Sequence, residues 1–137
     1  MNVGALIRRK PETLPPSATC AEAACLMRDA RVGSVVIAEQ GRPLGMLTDR
    51  DLVLRVVAEG KRPEKISVGE VMTERPIFVA DSCDLVAALQ LMSDLAVRRV
   101  PIIDDKRTVI GVVSLDDVIL ALAKNLDAVA ELIRKET

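Results

Sequence analysis

Two motifs in the sequence place a hydroxyl three residues before a carboxylate, directly after a short apolar segment. The first pair is Thr48 and Asp51, and the second is Ser114 and Asp117. A strand that leads into a helix start would present free backbone N–H groups and the positive end of the helix dipole, which favour an anion. A carboxylate in the first helical turn can also accept hydrogen bonds from both ribose hydroxyls, as in dinucleotide-binding folds. The neighbouring hydroxyl can bond a phosphate or the ribose.

The same two motifs also satisfy the capping-box pattern with which an ordinary globular helix begins. Taken alone, each motif favours a plain helix cap, although a cap and a ligand contact are compatible roles. Gly45 and Gly111 precede the motifs by three residues, and a position without a side chain lets either a ligand or another backbone segment approach closely. The balance between cap and ligand site therefore depends on whether the motifs belong to a repeated unit.

The chain contains an internal duplication, which is the strongest feature of its organisation. The early matches fall at an offset of 65 residues and the later ones at 66, after one additional residue in the second copy. The matched pairs are Val3-Gly4 with Val68-Gly69, Pro11 with Pro76, Leu26-Met27 with Leu91-Met92, Val32 with Val97, Gly45 with Gly111, Thr48 with Ser114, and Asp51 with Asp117. A register that persists over this length indicates a true duplication, so both motifs belong to one repeated unit.

Each copy predicts a helix, a β-hairpin and a second helix, from apolar spacing, turn residues and capping residues. In the first copy the predicted elements are a helix opened by the Thr19/Glu22 capping box and ending near Gly33, strands over 34–38 and 44–47 around a turn at 40–43, and a helix from Thr48 to Gly60. In the second copy they are a helix over 84–95, strands over 100–103 and 109–113 around a turn at 104–107, and a long helix from Ser114.

We predict an α+β fold in which two βαββα-type motifs pack sheet to sheet with pseudo-two-fold symmetry, leaving two equivalent clefts between them. A copy of about 65 residues buries too little apolar surface to be stable alone. The predicted organisation is a first motif over 1–60, a linker over 61–67, a second motif over 68–123 and a C-terminal helix extension over 124–137, which together form one structural unit.

The composition argues against several classes of protein. Lys and Arg number 19 and Asp and Glu 20, so the net charge of -1 offers no basic excess for nucleic acid. Histidine is absent, which removes the commonest general base and transition-metal ligand. No segment is apolar enough to span a membrane and the N-terminus lacks a secretion signal, so we expect a cytoplasmic protein. The cysteines follow no disulfide or metal spacing and are expected to be buried: Cys20, Cys25 and Cys83.

Several linked segments resemble a tandem pair of CBS domains of the stand-alone type. They are Val32-Gly-Ser-Val-Val-Ile, Gly45-Met-Leu-Thr-Asp-Arg-Asp51-Leu, Val71-Met-Thr, Val97-Arg-Arg-Val-Pro-Ile-Ile-Asp and Gly111-Val-Val-Ser-Leu-Asp-Asp117-Val. The resemblance covers the chain from about Val3 to about Leu122. It implies two clefts that bind adenosine-containing ligands (AMP, ADP, ATP or S-adenosylmethionine), a tendency to form homodimers, and regulation of a separate enzyme or transporter. We expect no metal beyond Mg²⁺ carried by the nucleotide.

In this family the carboxylate motif of one repeat shares its cleft with a loop of the other repeat. The resemblance therefore implies one cleft with Thr48 and Asp51 opposite Arg98 and Arg99, and another with Ser114 and Asp117 opposite Gly33 and Ser34. Two arginines can bind phosphates through bidentate, charge-assisted hydrogen bonds, so the arginine-bearing cleft is expected to take the more highly charged ligand. Solvated arginines without a specific role are the alternative.

The adenine base is expected against the extended segment before each first helix. These segments are Thr13, Leu14 and Pro15 in one copy and Ile77, Phe78 and Val79 in the other. Their alternative role is to complete the sheets. Because Phe78 is the only aromatic residue, aliphatic side chains and backbone must hold the base. The candidate binding set also includes Ala18, Asp49, Arg50, Pro101 and Asp116.

These features favour a regulatory ligand-binding module over an enzyme. Carboxylates such as Asp49, Asp51, Asp104-Asp105, Asp116 and Asp117 could serve acid–base or magnesium chemistry. They lie at helix starts or in turns, where acidic residues are common, and no nucleophile–base pair is evident. The alternatives are a ligand-independent dimerisation or interaction scaffold of the same fold, or a sensor of S-adenosylmethionine or NAD.

Overall fold

The computed structural model describes residues 1–7, 10–74 and 77–136. A 3₁₀ turn at Val3–Leu6 precedes the elements of the first repeat, which are β1 Thr13–Leu14, α1 Cys20–Ala30, β2 Ser34–Glu39, β3 Arg42–Thr48 and α2 Asp49–Leu52, continued by a π-helical segment Val53–Val57. Those of the second are α3 Val68–Val71, β4 Val79–Ala80, α4 Leu85–Leu95, β5 Arg99–Ile103, β6 Val109–Ser114 and α5 Leu115–Glu136. The predicted α+β class is confirmed. Pro76 and Thr137, which entered the sequence predictions, lie outside the described residues.

The start of α1 follows its predicted capping box. Glu22 N donates to Thr19 Oγ1 (3.1 Å) and Thr19 N donates to Glu22 Oε2 (3.0 Å), which satisfies two of the free N–H groups at the helix start. The helix ends before Gly33, because Arg31 already adopts the left-handed conformation with φ of 55°. The predicted end near Gly33 was therefore late. Glycine is the usual residue at a left-handed position that ends a helix, but here Arg31 takes that position.

Two three-stranded sheets carry the predicted hairpins. Their strand orders are β1-β2-β3 and β4-β5-β6, and in each the short first strand runs parallel to its neighbour while the hairpin is antiparallel. Register irregularities fall at equivalent places, between Ile37 and Ala38 and between Ile102 and Ile103. The duplication seen in the sequence thus extends to the details of strand pairing.

The two hairpin turns account for the one-residue difference between the copies. In the first, Gln40 and Gly41 have positive φ values of 52° and 81° and form a tight turn, so β3 begins two residues earlier than predicted. In the second, Asp104 Oδ1 accepts hydrogen bonds from Lys106 N and Thr108 N, both 2.9 Å long. This longer turn contains the additional residue.

Each repeat packs against the opening segment of the other. Val3 is fully buried in the core of the second repeat, and its N–H donates to Cys83 O (2.9 Å). Val68 is buried in the core of the first repeat, and its N–H donates to Ala18 O (2.8 Å). The packing therefore crosses between the sequence repeats, whose exact boundaries stay a prediction.

A third apolar cluster joins the two sheets, and we name it the inter-sheet cluster. Its buried members are Val36, Ala38, Ile103 and Val109, and the partly buried residues packed against it are Met46, Phe78 and Val112. Both sheets contribute to it, which confirms the predicted sheet-to-sheet packing. Burial of these side chains from water stabilises the association of the repeats.

The helix α5 is the longest in the described chain, with 22 residues and a length of about 33 Å. Val118 and Ala121 of its early turns are buried against the second repeat. A different face carries an apolar stripe whose side chains are 46–69% exposed: Ile119, Leu122, Leu126, Val129 and Ile133. Across residues 1–7, 10–74 and 77–136, no helix has the length and apolar character needed to cross a bilayer.

Candidate ligand-binding clefts

Both hydroxyl–carboxylate motifs lie where a hairpin strand runs directly into a helix, and both form capping boxes. Thr48 N donates to Asp51 Oδ2 (2.9 Å) and Asp51 N donates to Thr48 Oγ1 (3.1 Å). The second motif repeats this arrangement, with 3.0 Å from Ser114 N to Asp117 Oδ2 and 3.1 Å from Asp117 N to Ser114 Oγ. Each carboxylate uses only one oxygen in its cap. The other oxygen of Asp51 lies 3.9 Å from the guanidinium of Arg55, and it can still accept a further hydrogen bond because a carboxylate oxygen has two lone pairs.

The first cleft lies beside the start of α2 and has a cavity volume of about 330 Å³. It brings together the four residues that the sequence combined, Thr48, Asp51, Arg98 and Arg99. The other predicted residues in its lining are Asp49, Arg50 and Ile77, and the lining residues that the prediction missed are Met46, Thr73, Ala96 and Val97. Val97 had a usable signal, because it is a matched position of the duplication.

The second cleft lies beside the start of α5 and is larger, with a cavity volume of about 580 Å³. It brings Ser114, Asp116 and Asp117 together with Gly33 and Ser34, the combination that the family resemblance implied. The lining residues that the prediction missed are Leu6, Ile7, Pro11, Glu12, Arg31, Val32, Arg99 and Val112. Glu12 and Val32 are the repeat equivalents of Ile77 and Val97 in the first cleft, so the two linings are related by the same pseudo-symmetry.

The contrast between an arginine-bearing cleft and one lined by Gly-Ser is smaller than the sequence suggested. Arg99 lines both clefts, and Arg31 adds a second guanidinium to the second cleft. Among the described lining residues, the first cleft has three arginines and two carboxylates, whereas the second has two arginines and three carboxylates. The first cleft is therefore still the more electropositive of the two.

Six residues of the predicted set do not contribute to either cleft lining. They are Thr13, Leu14, Pro15, Ala18, Phe78 and Pro101. The structure assigns most of them to packing instead, since β1 pairs with β2, Ala18 belongs to the first core, and Phe78 packs on the inter-sheet cluster. The extended segment contributes its preceding residues, Pro11 and Glu12, to the second cleft. The sheet-completing role that the sequence left open thus describes this segment better.

Two ion pairs border the clefts. Arg55 Nη2 lies 3.9 Å from Asp51 Oδ1, and the same guanidinium donates from Nη1 to Val71 O (2.6 Å). Arg98 Nη2 lies 3.8 Å from Asp116 Oδ1, but both side chains are more than 70% exposed, so solvent screens this pair strongly. Arg98 is therefore free to exchange its partner for a bound anion.

The described parts of the chain contain no group of three or more His, Cys, Asp or Glu side chains placed to hold a metal ion. The carboxylates of the clefts instead face arginines, backbone N–H groups and hydroxyls. This donor set suits a ligand that combines anionic groups with hydroxyls.

Comparison with known proteins gives consistent matches. The model of the CBS domain matches residues 3–58 and 68–124. The chain is 39% identical over 116 residues to the CBS domain-containing protein YhcV of Bacillus subtilis, covering 85% of this chain and 81% of the relative. It is 38% identical over 120 residues to the uncharacterized protein MK0525 of Methanopyrus kandleri, covering 87% of this chain but only 61% of that relative's length.

Among solved structures, the CBS domain protein PAE2072 from Pyrobaculum aerophilum, complexed with AMP, superposes with a TM-score of 0.80 at 27% sequence identity. The match covers 90% of this chain and 99% of that one. Two duplicated sheet-and-helix units, with a cleft at each strand-to-helix junction, define a paired-repeat module. The chain belongs to the CBS domain family and contains a tandem pair of these domains.

Proposed function

We propose that the protein is a regulatory module that binds an adenine nucleotide, AMP, ADP or ATP, in its clefts and signals the bound state to a separate partner protein. The observation that carries this proposal is the pair of carboxylates, Asp51 and Asp117, each at a helix start that opens into a cleft. The AMP complex of the Pyrobaculum aerophilum relative supports the same ligand class. No catalytic role is proposed.

Each cleft offers the groups that a nucleoside phosphate requires. The carboxylate oxygen of Asp51 or Asp117 that takes no part in the capping box would accept hydrogen bonds from the ribose hydroxyls, while arginines and helix N–H groups would bind the phosphate. Met46, Ile77 and Val97 give the first cleft an aliphatic surface for the base. We expect the first cleft to take the more highly charged ligand, because its described lining contains the excess of arginine.

The carboxylate roles can be separated from helix capping by exchanging Asp for Glu. Glu22 forms the same box at the start of α1, so Asp51→Glu and Asp117→Glu are expected to keep their caps while displacing the carboxylate from the ribose. We expect each variant to melt like the wild type and to lose about tenfold or more in nucleotide affinity at its own cleft, which is the loss of roughly one charge-assisted hydrogen bond. The matched control is Glu22→Asp, which changes a capping box outside both clefts and should bind normally.

Thermal-shift measurements with AMP, ADP, ATP, S-adenosylmethionine and NAD would identify the ligand. A site saturated at a hundredfold excess over Kd stabilises the fold by about 2.7 kcal/mol, which is readily measured. Calorimetric titration of the best ligand into the wild type and the three variants then tests the site. Equal affinity in wild type, Asp51→Glu and Asp117→Glu would contradict the proposal.

A second candidate is a scaffold of the same fold that associates without a ligand. Its supporting observation is the exposed apolar surface of both repeats: Val53, Leu54 and Val57 are at least half exposed in the first, as is much of the apolar stripe in the second. Exposed apolar side chains grouped along a helix in this way are typical of an interface. We propose that it supports a homodimer in either case. Absence of a thermal shift with every ligand would favour the scaffold.

A further inference from the structure

Arg99 lines both clefts, and among the described lining residues it is alone in doing so. It is the first residue of β5, where it pairs with Ser114 of β6. The neighbouring Arg98 lines the first cleft, and its Nη2 also lies 3.8 Å from Oδ1 of Asp116, an exposed residue of the second cleft. The two arginines are therefore inequivalent, although they are adjacent in the chain.

The guanidinium of Arg99 lies where the two clefts approach each other. A Cβ placed on Gly33, in the second cleft, would lie 3.3 Å from Arg99 Nη2 and also 3.3 Å from Asp49 Oδ2, which belongs to the first cleft. The missing side chain at Gly33 leaves the space into which the guanidinium reaches. Arg99 is thus placed beside a wall of each cleft.

The duplication provides no second arginine with this position. The repeat equivalent of Arg99 is Ser34, which pairs with Thr48 as Arg99 pairs with Ser114. The equivalent of Arg98 is Gly33. One shared guanidinium, rather than two related by the pseudo-symmetry, therefore serves the junction of the clefts.

We propose that Arg99 couples the two clefts negatively, so that a phosphate-bearing ligand in one weakens the binding of a phosphate-bearing ligand in the other. The inference rests on the proposed nucleotide function and adds its regulation. A guanidinium carries one positive charge and binds one phosphate best through its bidentate edge. A second phosphate would compete for that edge and would meet the like charge of the first. A ligand without phosphate, such as adenosine, would experience neither effect.

The coupling can be measured by comparing single-cleft variants with the wild type. In Asp117→Glu the second cleft binds AMP about tenfold or more weakly, so the tighter of the two constants from a calorimetric titration is the association constant of the first cleft. Titration into Asp51→Glu gives the constant of the second cleft in the same way. We expect the product of these two constants to be about five times the product of the two stepwise association constants of the wild type. Fivefold is the low end of measured coupling between sites, and we expect the low end because Arg99 is partly exposed. For adenosine the two products should be equal.

Substitution of one cleft arginine at a time assigns the coupling to one residue. Arg99→Gln should lower AMP affinity in both single-cleft backgrounds. It should also make the product of the two single-cleft constants for AMP equal to the product of the two stepwise constants. Adenosine binding should stay unchanged, which would show that the clefts are intact. The matched control, Arg50→Gln, removes a guanidinium that lines the first cleft and not the second, so it should lower AMP affinity in the first cleft only and leave the coupling in place.

Equal AMP products in the wild type, or an effect of Arg99→Gln on one cleft only, would overturn the coupling while leaving nucleotide binding intact. Failure of the wild type to bind either AMP or adenosine would overturn the proposed function and this inference with it. The two failures are therefore distinguishable in the same set of titrations.

Discussion

Gly45 of β3 lies so close to the carbonyl oxygen of Thr73 that a Cβ at position 45 would overlap it. Thr73 N in turn donates a hydrogen bond to Met46 O (3.1 Å), which ties the segment after α3 to the edge of the first sheet. The sequence left open whether a ligand or a backbone segment approaches this glycine. At Gly45 the close neighbour is backbone.

Replacement of Gly45 by alanine should therefore destabilise the protein, because a backbone carbonyl cannot move away as a side chain can. We expect Gly45→Ala to lower the free energy of unfolding by about 1–3 kcal/mol, the usual range for overpacking, measured by urea denaturation. Gly111→Ala is the matched comparison, since the nearest atoms that a Cβ there would meet belong to the side chain of Ile7. Its loss should be smaller, and a larger loss than that of Gly45→Ala would contradict this explanation.

The features predicted correctly from the sequence are those with a local cause. The capping boxes of Thr19 and Thr48 join groups three residues apart, so the pattern of residue types is sufficient to place the helix starts. Because the pattern occurs twice, the two carboxylate motifs could be recognised as equivalent positions of one repeat. Sheet-to-sheet packing followed because neither copy could bury its apolar side chains alone.

The incorrect details have long-range causes. Whether Glu12 or Thr13 lines the second cleft depends on how β1 pairs with β2, where Thr13 stands opposite Val36. The reach of Arg99 into both clefts depends on the packing of one repeat against the other. Arg31 ends α1 in a left-handed conformation that its residue type does not favour. None of these can be inferred from spacing along the chain.

The cysteines should differ sharply in reactivity. The sequence predicted all three cysteines as buried. This is correct for Cys20 but wrong for Cys25, which lies on the exposed face of α1, and Cys83 is partly exposed. Burial also raises the pKa of the Cys20 thiol, which lowers the fraction of reactive thiolate.

We expect a thiol reagent at neutral pH to modify Cys25 rapidly and Cys20 only after unfolding. Mass spectrometry of tryptic peptides would resolve the sites. A Cys25→Ser variant, which should lose the rapid phase, provides the control. Rapid modification of Cys20 in the folded protein would contradict its burial.

The apolar stripe of α5 should support self-association. Its five members are spaced alternately three and four residues apart, which is typical of a helix–helix seam, and all are 46–69% exposed. We expect the wild type to behave as a dimer in sedimentation equilibrium and the double variant Leu126→Gln/Val129→Gln as a monomer. Lys124→Gln on the same helix is the control and should stay dimeric. An unchanged mass in the double variant would place the dimer interface elsewhere.

The inter-sheet cluster should make the stability of each repeat depend on the other. Ile103 is 7% exposed and packs with Val36 of the opposite sheet, so Ile103→Ala is expected to cost about 2–5 kcal/mol through the cavity it leaves. Because both sheets lose contacts, Cys20 in the core of the first repeat should become reactive at a lower urea concentration, although it is far from Ile103 in the chain. Labelling in a Cys25→Ser/Cys83→Ser background reports on this thiol alone.

The matched control for this experiment is Val86→Ala, a change in the same repeat at a side chain that is 71% exposed. It should alter the unfolding free energy by no more than about 0.5 kcal/mol. If the repeats unfold together, the urea midpoint for Cys20 labelling and the midpoint from circular dichroism will move by the same amount in Ile103→Ala. Retained protection of Cys20 while the second repeat unfolds would show that the halves are energetically independent, since the loss of contacts in one would not reach the core of the other.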